Sequence, residues 1–376
     1  MKKKIAVIGS GIAGLTIANL FKEISNFEVM VYEKEKILSL DEGYGIQLAP
    51  NTISILNKIG LSNINNKDFF NPTKLNFYSS DNQKICDLDL SRFNSEKSKY
   101  TTLKRSTLIE FLKNKLFSNN LRFGKEVKKI SKIKEKLLIN FKDNTNDLVD
   151  FVVVSDGVFS NTKSIIENKI TQPIYNGSIA IRTILKSLPE FNYDKNNISL
   201  VMLRNAHIVI YPINKKEEFN VVCIIRQKLS NSIDLKALIK KEILSQNKNL
   251  ENLFENQLKY WPIYISKKPS KSNYENLFYI GDAFYTFPPT MAQGASQSIE
   301  AADELFNLLS KDNKKTPDLF FKKRLMRTKI INRRSKLNYH IFHFSNPLLK
   351  MIRNKSLKIV VKNKTFLNKY IGKVYN

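Results

Sequence analysis

Six residues near the start, Gly9-Ser10-Gly11-Ile12-Ala13-Gly14, constrain this chain more than any others. They follow the apolar run Lys4–Gly9, which predicts a buried strand, and they lead into Ala13–Ile24, whose apolar spacing predicts a helix. Phe27–Glu33 predicts a second strand. The three form a βαβ unit opening a parallel sheet. Each glycine has its own task in such a turn. Gly9 permits the tight turn, Gly11 lets the backbone approach a pyrophosphate, and Gly14 lets the helix close on the sheet. The helix N-terminus then offers free N–H groups and a positive dipole end to phosphate oxygens. Glu33 ends the second strand 19 residues after Gly14, where a carboxylate can accept both ribose hydroxyls of an adenosine. A carboxylate opposes a 2′-phosphate, so FAD or NAD suits this turn better than NADP. Spacing does not choose between FAD and NAD.

Two further motifs stand at strand ends. Gly281-Asp282 follows the apolar strand Asn276–Gly281 and precedes Pro288-Pro289, Ala292-Gln293-Gly294 and the amphipathic helix Ala295–Leu309. An Asp there can accept from a ribityl hydroxyl. A helix starting near Gly294 and Ala295 would aim its dipole at the N1–C2=O edge of a flavin, which becomes negative on reduction. Ser155-Asp156-Gly157-Val158-Phe159-Ser160 follows the buried strand Phe151–Ser155 and is, locally, an Asp-Gly turn.

The pattern changes after about residue 172. Ser178–Leu185, Ile198–Leu203, His207–Tyr211 and Phe219–Arg226 alternate as strands of an antiparallel sheet, and Leu235–Leu244 predicts a helix. Earlier, Thr52–Ile59 and Arg105–Phe117 predict helices, and Glu126–Ile133 with Lys136–Lys142 a hairpin. The fold class is therefore α/β: a Rossmann-like, parallel-sheet nucleotide domain with an inserted antiparallel sheet and a C-terminal helical segment; the resemblance described below implies that the first is an FAD-binding domain and the second a substrate domain. The expected boundaries are 1–172 with 273–317 for the nucleotide domain, 173–272 for the substrate domain and 318–376 for the helical segment.

Composition enters through charge. The chain holds 62 Lys+Arg against 34 Asp+Glu, a net +28. Residues 319–376 contain 16 Lys+Arg and no acidic residue, leaving 28 − 16 = +12 for the rest. Such a segment can attract an anionic membrane surface, because Leu348, Leu349, Ile352, Leu357, Ile359 and Val360 interleave with its cations. Compositional drift is the preferred reading of the charge, since the whole chain is rich in Lys, Asn and Ile, and peripheral membrane contact is the alternative to it. No recognition motif accompanies the charge, so nucleic acid is not an expected partner. Two cysteines, Cys86 and Cys223, exclude a disulfide framework and favour a reducing, cytoplasmic setting. The basic start Lys2–Lys4 and the apolar stretch after it mimic a signal peptide, but Gly9, Ser10, Gly11 and Gly14 break that stretch.

Together the three motifs resemble the class A flavoprotein monooxygenases, and within them the salicylate hydroxylase-like group, over nearly the whole chain. Gly43-Tyr44-Gly45-Ile46-Gln47-Leu48 resembles the family's loop beside the flavin ring, with Gly45 and Gln47 as cofactor-binding positions. Arg105 matches an arginine that contacts FAD, and Phe123-Gly124 with Val127 a segment near the adenine. Asp156-Gly157 matches a signature associated with FAD and NAD(P)H, and Gly281-Asp282 through Gln297 the pyrophosphate and ribityl segment. Arg327, Arg334 and Arg353-Asn354 make the tail look like part of the fold.

The resemblance implies a hydroxylase of an aromatic, phenolic small molecule. NADH or NADPH would act as transient co-substrate, with O₂ and a flavin C4a-hydroperoxide. It departs from the family at Phe284-Tyr285, Lys163 and Ile181, which leaves two alternatives: a flavin reductase or dehydrogenase, and a peripheral FAD-binding protein without hydroxylase activity. His207 and Tyr211 share one strand face, and the resemblance puts such a pair at the substrate pocket. His207 is accordingly the expected general base, since imidazole suits a phenolic proton. His340 and His343 lie in the basic tail without carboxylates or thiolates, so they read as structural and no metal site is expected.

Overall fold

The computed structural model describes residues 2–38, 40, 44–168, 172–188, 193–230, 232–311 and 315–375. Gly43 lies outside them. The elements that build the site and its supports run, in chain order, β1 (Lys3–Ile8), α1 (Ile12–Lys22), β2 (Phe27–Tyr32), β3 (Gly45–Leu48), β4 (Lys74–Tyr78), β5 (Lys84–Asp89) and α2 (Arg105–Lys115). Then come β6 (Phe151–Val154), β7 (Ile174–Leu185), β8 (Ile198–Met202), β9 (Ala206–Pro212), β10 (Phe219–Arg226), β11 (Lys259–Ile265) and β12 (Leu277–Tyr279). Three helices follow: α3 (Gly294–Leu309), α4 (Thr316–Phe342) and α5 (Pro347–Val360).

The first sheet is parallel, in the order β12, β6, β1, β2, Leu121–Arg122. Its strands are apolar at successive positions because both faces are covered. Ile5, Val7, Val29, Val31 and Val153 pack on Ile17, Phe21, Ala301 and Leu305 of α1 and α3. Ala6, Ile8, Val152 and Val154 pack on Val127, Ile130, Leu137 and Ile139 of the antiparallel meander 127–149. The predicted βαβ unit and hairpin are both present.

The second sheet has seven strands, in the order β11, β7, β10, β9, β8, β4, β5. Five come from the expected segment. The other two, β4 and β5, come from residues 74–89, and β4 joins β8 in parallel with Leu75 opposite Ile198. One face, carrying Ile181, Ile208, Ile210 and Val221, packs against Leu238, Ile243 and Leu253 of the helical turns 235–254. The helix expected over Leu235–Leu244 is α-helical to Ile239 and π-helical from Lys240. The opposite face carries Leu200, Met202, His207, Val209, Tyr211 and Val222 and looks toward the parallel-sheet unit and the C-terminal helices.

The C-terminal segment is built into this framework. Arg324 of α4 is buried, donates to Gln297 Oε1 at 2.8 Å and faces Glu300 and Glu304 of α3. Arg327 grips Glu300 through Nε at 2.8 Å and reaches the carbonyl of Val374 at 2.7 Å. The chain end is thereby fastened beside α3. No helix among the described residues is long and apolar enough to cross a membrane.

The helix α1 sits so close to the sheet that a Cβ on Gly14 would lie 2.1 Å from the Gly9 carbonyl oxygen and 2.6 Å from Ser155 Oγ. Backbone cannot yield there without moving α1. Gly14→Ala should therefore destabilise the protein by at least about 1–3 kcal/mol, as overpacked sites do. A lowered urea midpoint at unchanged m-value would verify this; an unchanged midpoint would mean the helix can shift freely.

Candidate flavin and substrate site

The glycine turn lies at the C-terminal ends of the parallel strands, where ligands of open α/β sheets bind. Gly9 has φ of 100° and donates its N–H to the Tyr32 carbonyl at 2.8 Å. Gly11 caps α1 in extended geometry, and no side chain satisfies the first N–H groups of the helix. A Cβ added at Gly11 would meet no atom within 4 Å, so open space lies before that helix end. Glu33 stands beside the same turn, its Oε2 accepting from Ser10 N at 2.8 Å and Ser10 Oγ at 2.7 Å. Lys125 N and Gly124 N donate to the carbonyls of Glu33 and Glu35 at 2.8 and 3.0 Å, and Val127 opens the strand that follows. Structure thus joins the turn and Glu33 to the 123–127 segment, which begins 123 − 33 = 90 residues after Glu33 in the sequence.

Asp282 occupies a helical turn directly after β12, and α3 begins at Gly294 with no side-chain cap on its N-terminus. Asp282 keeps contact with solvent, yet loss of hydration among the surrounding protein pushes its carboxyl up to about 6, while the Arg105 guanidinium pulls it back. Arg105 opens α2, and its N–H donates to the Tyr44 carbonyl at 2.9 Å. A Cβ on Gly294 would meet nothing within 4 Å; Ala295 follows it in the first turn of α3. These residues fit FAD: open space before two uncapped helix N-termini suits a pyrophosphate and a flavin edge. Glu33 and Asp282 are acceptors for its ribose and ribityl hydroxyls.

Asp156 lies behind the glycine turn. Its Oδ2 accepts from Thr162 N at 3.2 Å, and burial raises its pKa. Its Oδ1 is buried without a hydrogen-bond partner among the described residues.

Gly45 and Gln47 of β3 join the flavin side to the substrate sheet. Gly45 N donates to Asn220 Oδ1 at 2.7 Å, and a Cβ on Gly45 would approach Ile213, Asn220 and Tyr211 within 2.6–2.8 Å. Gln47 Oε1 accepts from the Tyr100 hydroxyl at 2.7 Å. Gln47 also stands close to Tyr211, and Tyr375 packs on Tyr100 with ring centroids 5.5 Å apart. Burial pushes Tyr211 up to about 12, and Arg182 beside it opposes that rise. Arg182 of β7 shares the Tyr211 face of the sheet: it pairs with Val222, which pairs with Val209.

His207 lies four residues along the same strand face, about 13 Å away at the usual rise per residue. It is buried, and its Nδ1 is 2.7 Å from His343 Nε2 at the end of α4. Phe342 packs edge-on against its ring. Burial pushes His207 down to about 3 and His343 to about 2, so both imidazoles are neutral. The face therefore separates the expected pair: Tyr211 beside Gln47, His207 on the C-terminal helix. Sequence reasoning missed Tyr100, Tyr375, Arg182 and the His343 contact. Tyr375 and Tyr100 sit in no motif, and nothing local marks a penultimate tyrosine as part of a site.

Residues 2–316 match the family described as FAD binding domain. The chain is 24% identical over 374 residues to 3-amino-4-hydroxybenzoate 2-monooxygenase PtmB3 of Streptomyces platensis, covering 95% of this chain and 92% of that one. It is also 24% identical over 322 residues to 6-hydroxynicotinate 3-monooxygenase of Bordetella bronchiseptica, covering 80% and 81%. Among solved structures it superposes on Klebsiella pneumoniae HpxO complexed with FAD and uric acid, with a TM-score of 0.85, 17% identity and 99% and 96% coverage. It superposes on a salicylate hydroxylase substrate complex at 0.78, with 15% identity and 99% and 98% coverage. The fold expected from the sequence is borne out.

Two variants separate folding from flavin binding. Gly11 is extended and faces open space, so Gly11→Val should fold yet lose FAD, read as loss of the flavin absorbance from a protein whose urea midpoint equals that of FAD-free wild type. Asp282 carries the opposite balance. Its folded pKa lies above the ordinary 3.8, so its contribution is fully present below that value and is lost as pH rises through about 6. Asp282→Asn should raise the melting temperature of FAD-free protein at pH 7 but not at pH 4, while weakening FAD retention. Equal melting shifts at both pH values would contradict this.

Proposed function

The chain belongs to the FAD binding domain family, and from that premise we propose that it is a monooxygenase hydroxylating a small aromatic ring that carries an ionised oxygen. FAD, held by the glycine turn, Glu33, Asp282 and the N-terminus of α3, would supply the redox chemistry, taking hydride from NADH or NADPH and activating O₂. The chain's own residues bind the ring, keep water away and hold its negative charge. Residues 173–272, with strands from 74–89, serve as the substrate unit, and 1–172 with 273–317 as the flavin unit.

The observation that carries this reading is the polar cluster in which Tyr100 donates to Gln47 close to Tyr211, with Arg182 on the same sheet face. Because Gln47 Oε1 accepts from Tyr100, its amide nitrogen is left as a donor on the side of Tyr211. The Tyr211 proton is then free for a ligand, and a pKa near 12 keeps that proton in place. Arg182 adds a guanidinium on the same face, with no ion pair to a carboxylate among the described residues. A donor hydroxyl beside a cation favours the oxyanion form of a substrate. Ionised oxygen puts electron density on the ring carbon that must be attacked. The two relatives named above act, by their names, on hydroxylated aromatic acids, which is the chemistry such a face would take.

His207 suits proton abstraction poorly in this arrangement. A free phenol has a pKa of about 10, and burial pushes the His207 imidazole well below its ordinary value, so proton transfer to it is strongly uphill. We therefore assign charge stabilisation to Tyr211 and Arg182, and to the His207–His343 pair the closing of the far end of the face. We place the enzyme in the cytoplasm, at the inner face of an anionic membrane, on the charge of the C-terminal segment.

The test is a screen of hydroxylated aromatic acids and plain phenols for stimulated NAD(P)H oxidation with detection of hydroxylated product. Tyr211→Phe should keep FAD and lower kcat/KM at neutral pH by about 10–100-fold, the worth of a hydrogen bond to a charged group. Part of that loss should return at high pH, where the substrate ionises unaided. Failure of every phenolic compound to raise oxidation would sink the reading. A loss of about 10²–10⁴-fold in His207→Ala, recovered at high pH, would restore His207 as general base.

A further inference from the structure

Helix α5 carries an apolar stripe that faces solvent. Leu348, Leu349, Met351, Ile352 and Ile359 are 59%, 43%, 48%, 49% and 69% exposed. At helical spacing Leu348, Ile352, Lys355 and Ile359 fall on one line, with Met351 beside it. The helix is held from its other side. Arg353 is buried and donates to the Ile341 carbonyl, and Leu357 and Val361 join the core cluster beside β5. Asn346 caps the helix through Leu348 N at 2.9 Å, and Pro347 sits in its first turn. The stripe is therefore displayed by an anchored helix of defined orientation, and it is not a frayed end.

Charge decides what can cover it. Lys350, Lys355 and Lys358 lie on α5 and Lys362 and Lys364 just beyond, while residues 319–376 hold no acid. Two carboxylates stand on the supporting side: Asp81 faces Lys350, and Asp87 on β5 is already paired with Lys74 and Lys84. A second copy of the chain would bring the same cations against these, at +28 per chain. A bilayer with anionic headgroups meets both demands. It accepts apolar side chains at the acyl boundary while lysines reach outward to phosphates.

We propose that the outer face of α5 is a docking surface for an anionic lipid bilayer, with Leu348, Ile352 and Ile359 inserting and Lys355 and Lys358 contacting headgroups. This rests on the membrane-side location proposed above and names the surface that serves it. The helix would meet the bilayer with the side turned away from the seven-stranded sheet.

The experiment is co-sedimentation of the FAD-loaded protein with vesicles of phosphatidylcholine alone or mixed with phosphatidylglycerol, at low and high salt. The expected result is binding to the mixed vesicles at low salt, release at high salt and no binding to phosphatidylcholine alone. The combined variant Leu348→Ser, Ile352→Ser, Ile359→Ser should bind at least about tenfold more weakly. Lys355→Glu with Lys358→Glu should weaken binding and flatten its salt dependence. Retained flavin absorbance in each variant shows that the fold is intact. If the wild type ignores anionic vesicles, both the membrane-side location and this surface are wrong. Should the wild type bind while the serine variant binds equally, the location stands and the α5 surface is wrong. A doubled mass by light scattering, abolished by the serine substitutions and without vesicle binding, would make the face a self-interface and overturn the proposal.

Discussion

Backbone touches backbone where the first strand turns into the first helix, and the rest of the site follows from that contact. A Cβ on Gly9 would lie 2.8 Å from the Ser155 carbonyl, and one on Gly14 would lie 2.1 Å from the Gly9 carbonyl. Ser155 Oγ completes the contact, bonded to the carbonyls of Ile8 and Gly9 at 2.8 and 3.0 Å. The N-terminus of α1 is thereby held at the divergence of β1 and β6, the place where parallel sheets open a ligand crevice. The second uncapped helix end, at Gly294, is set beside it because β12 is the neighbour of β6.

Holding α3 in place falls to a charged cluster. Arg324 is almost wholly enclosed among Gln297, Glu300 and Glu304, and Arg327 adds a two-point contact to Glu300. Enclosed ions are expensive to desolvate, so such a cluster contributes orientation more surely than stability. Its consequence here is geometric. Arg327 also binds the carbonyls of Lys373 and Val374, which sets Tyr375 against Tyr100 and Phe93 with ring centroids 5.5 Å apart in both cases. The chain end thus becomes part of the wall near Gln47 and Tyr211.

The two faces of the seven-stranded sheet differ in kind. One is a hydrocarbon layer sealed by helical turns; the other mixes Leu200, Val209 and Val222 with Tyr211, Arg182 and His207. A mostly apolar surface with a few convergent polar groups is what a small-ligand site requires.

Local pattern was enough for part of this. The glycine turn, Glu33, the Gly281-Asp282 turn and the helix after it are read from spacings of a few residues to about twenty, because strand, turn and helix impose fixed periods on neighbours in sequence. Other features depend on pairing across long separations, for which periodicity carries no signal. Strand β4 joins β8 with Leu75 opposite Ile198, so the substrate sheet reaches outside the segment that alternation marks. His207 has the same alternation as Tyr211, yet one meets His343 and the other meets Gln47, because α4 and β3 cross different ends of the same strand. The sequence by itself determined that this chain forms a dinucleotide turn on a parallel sheet, since those residue types at those intervals suit little else. Which groups share the Tyr211 face, and that Tyr375 is near them, was decided by tertiary packing, where enclosed charges and core volume outweigh anything written locally.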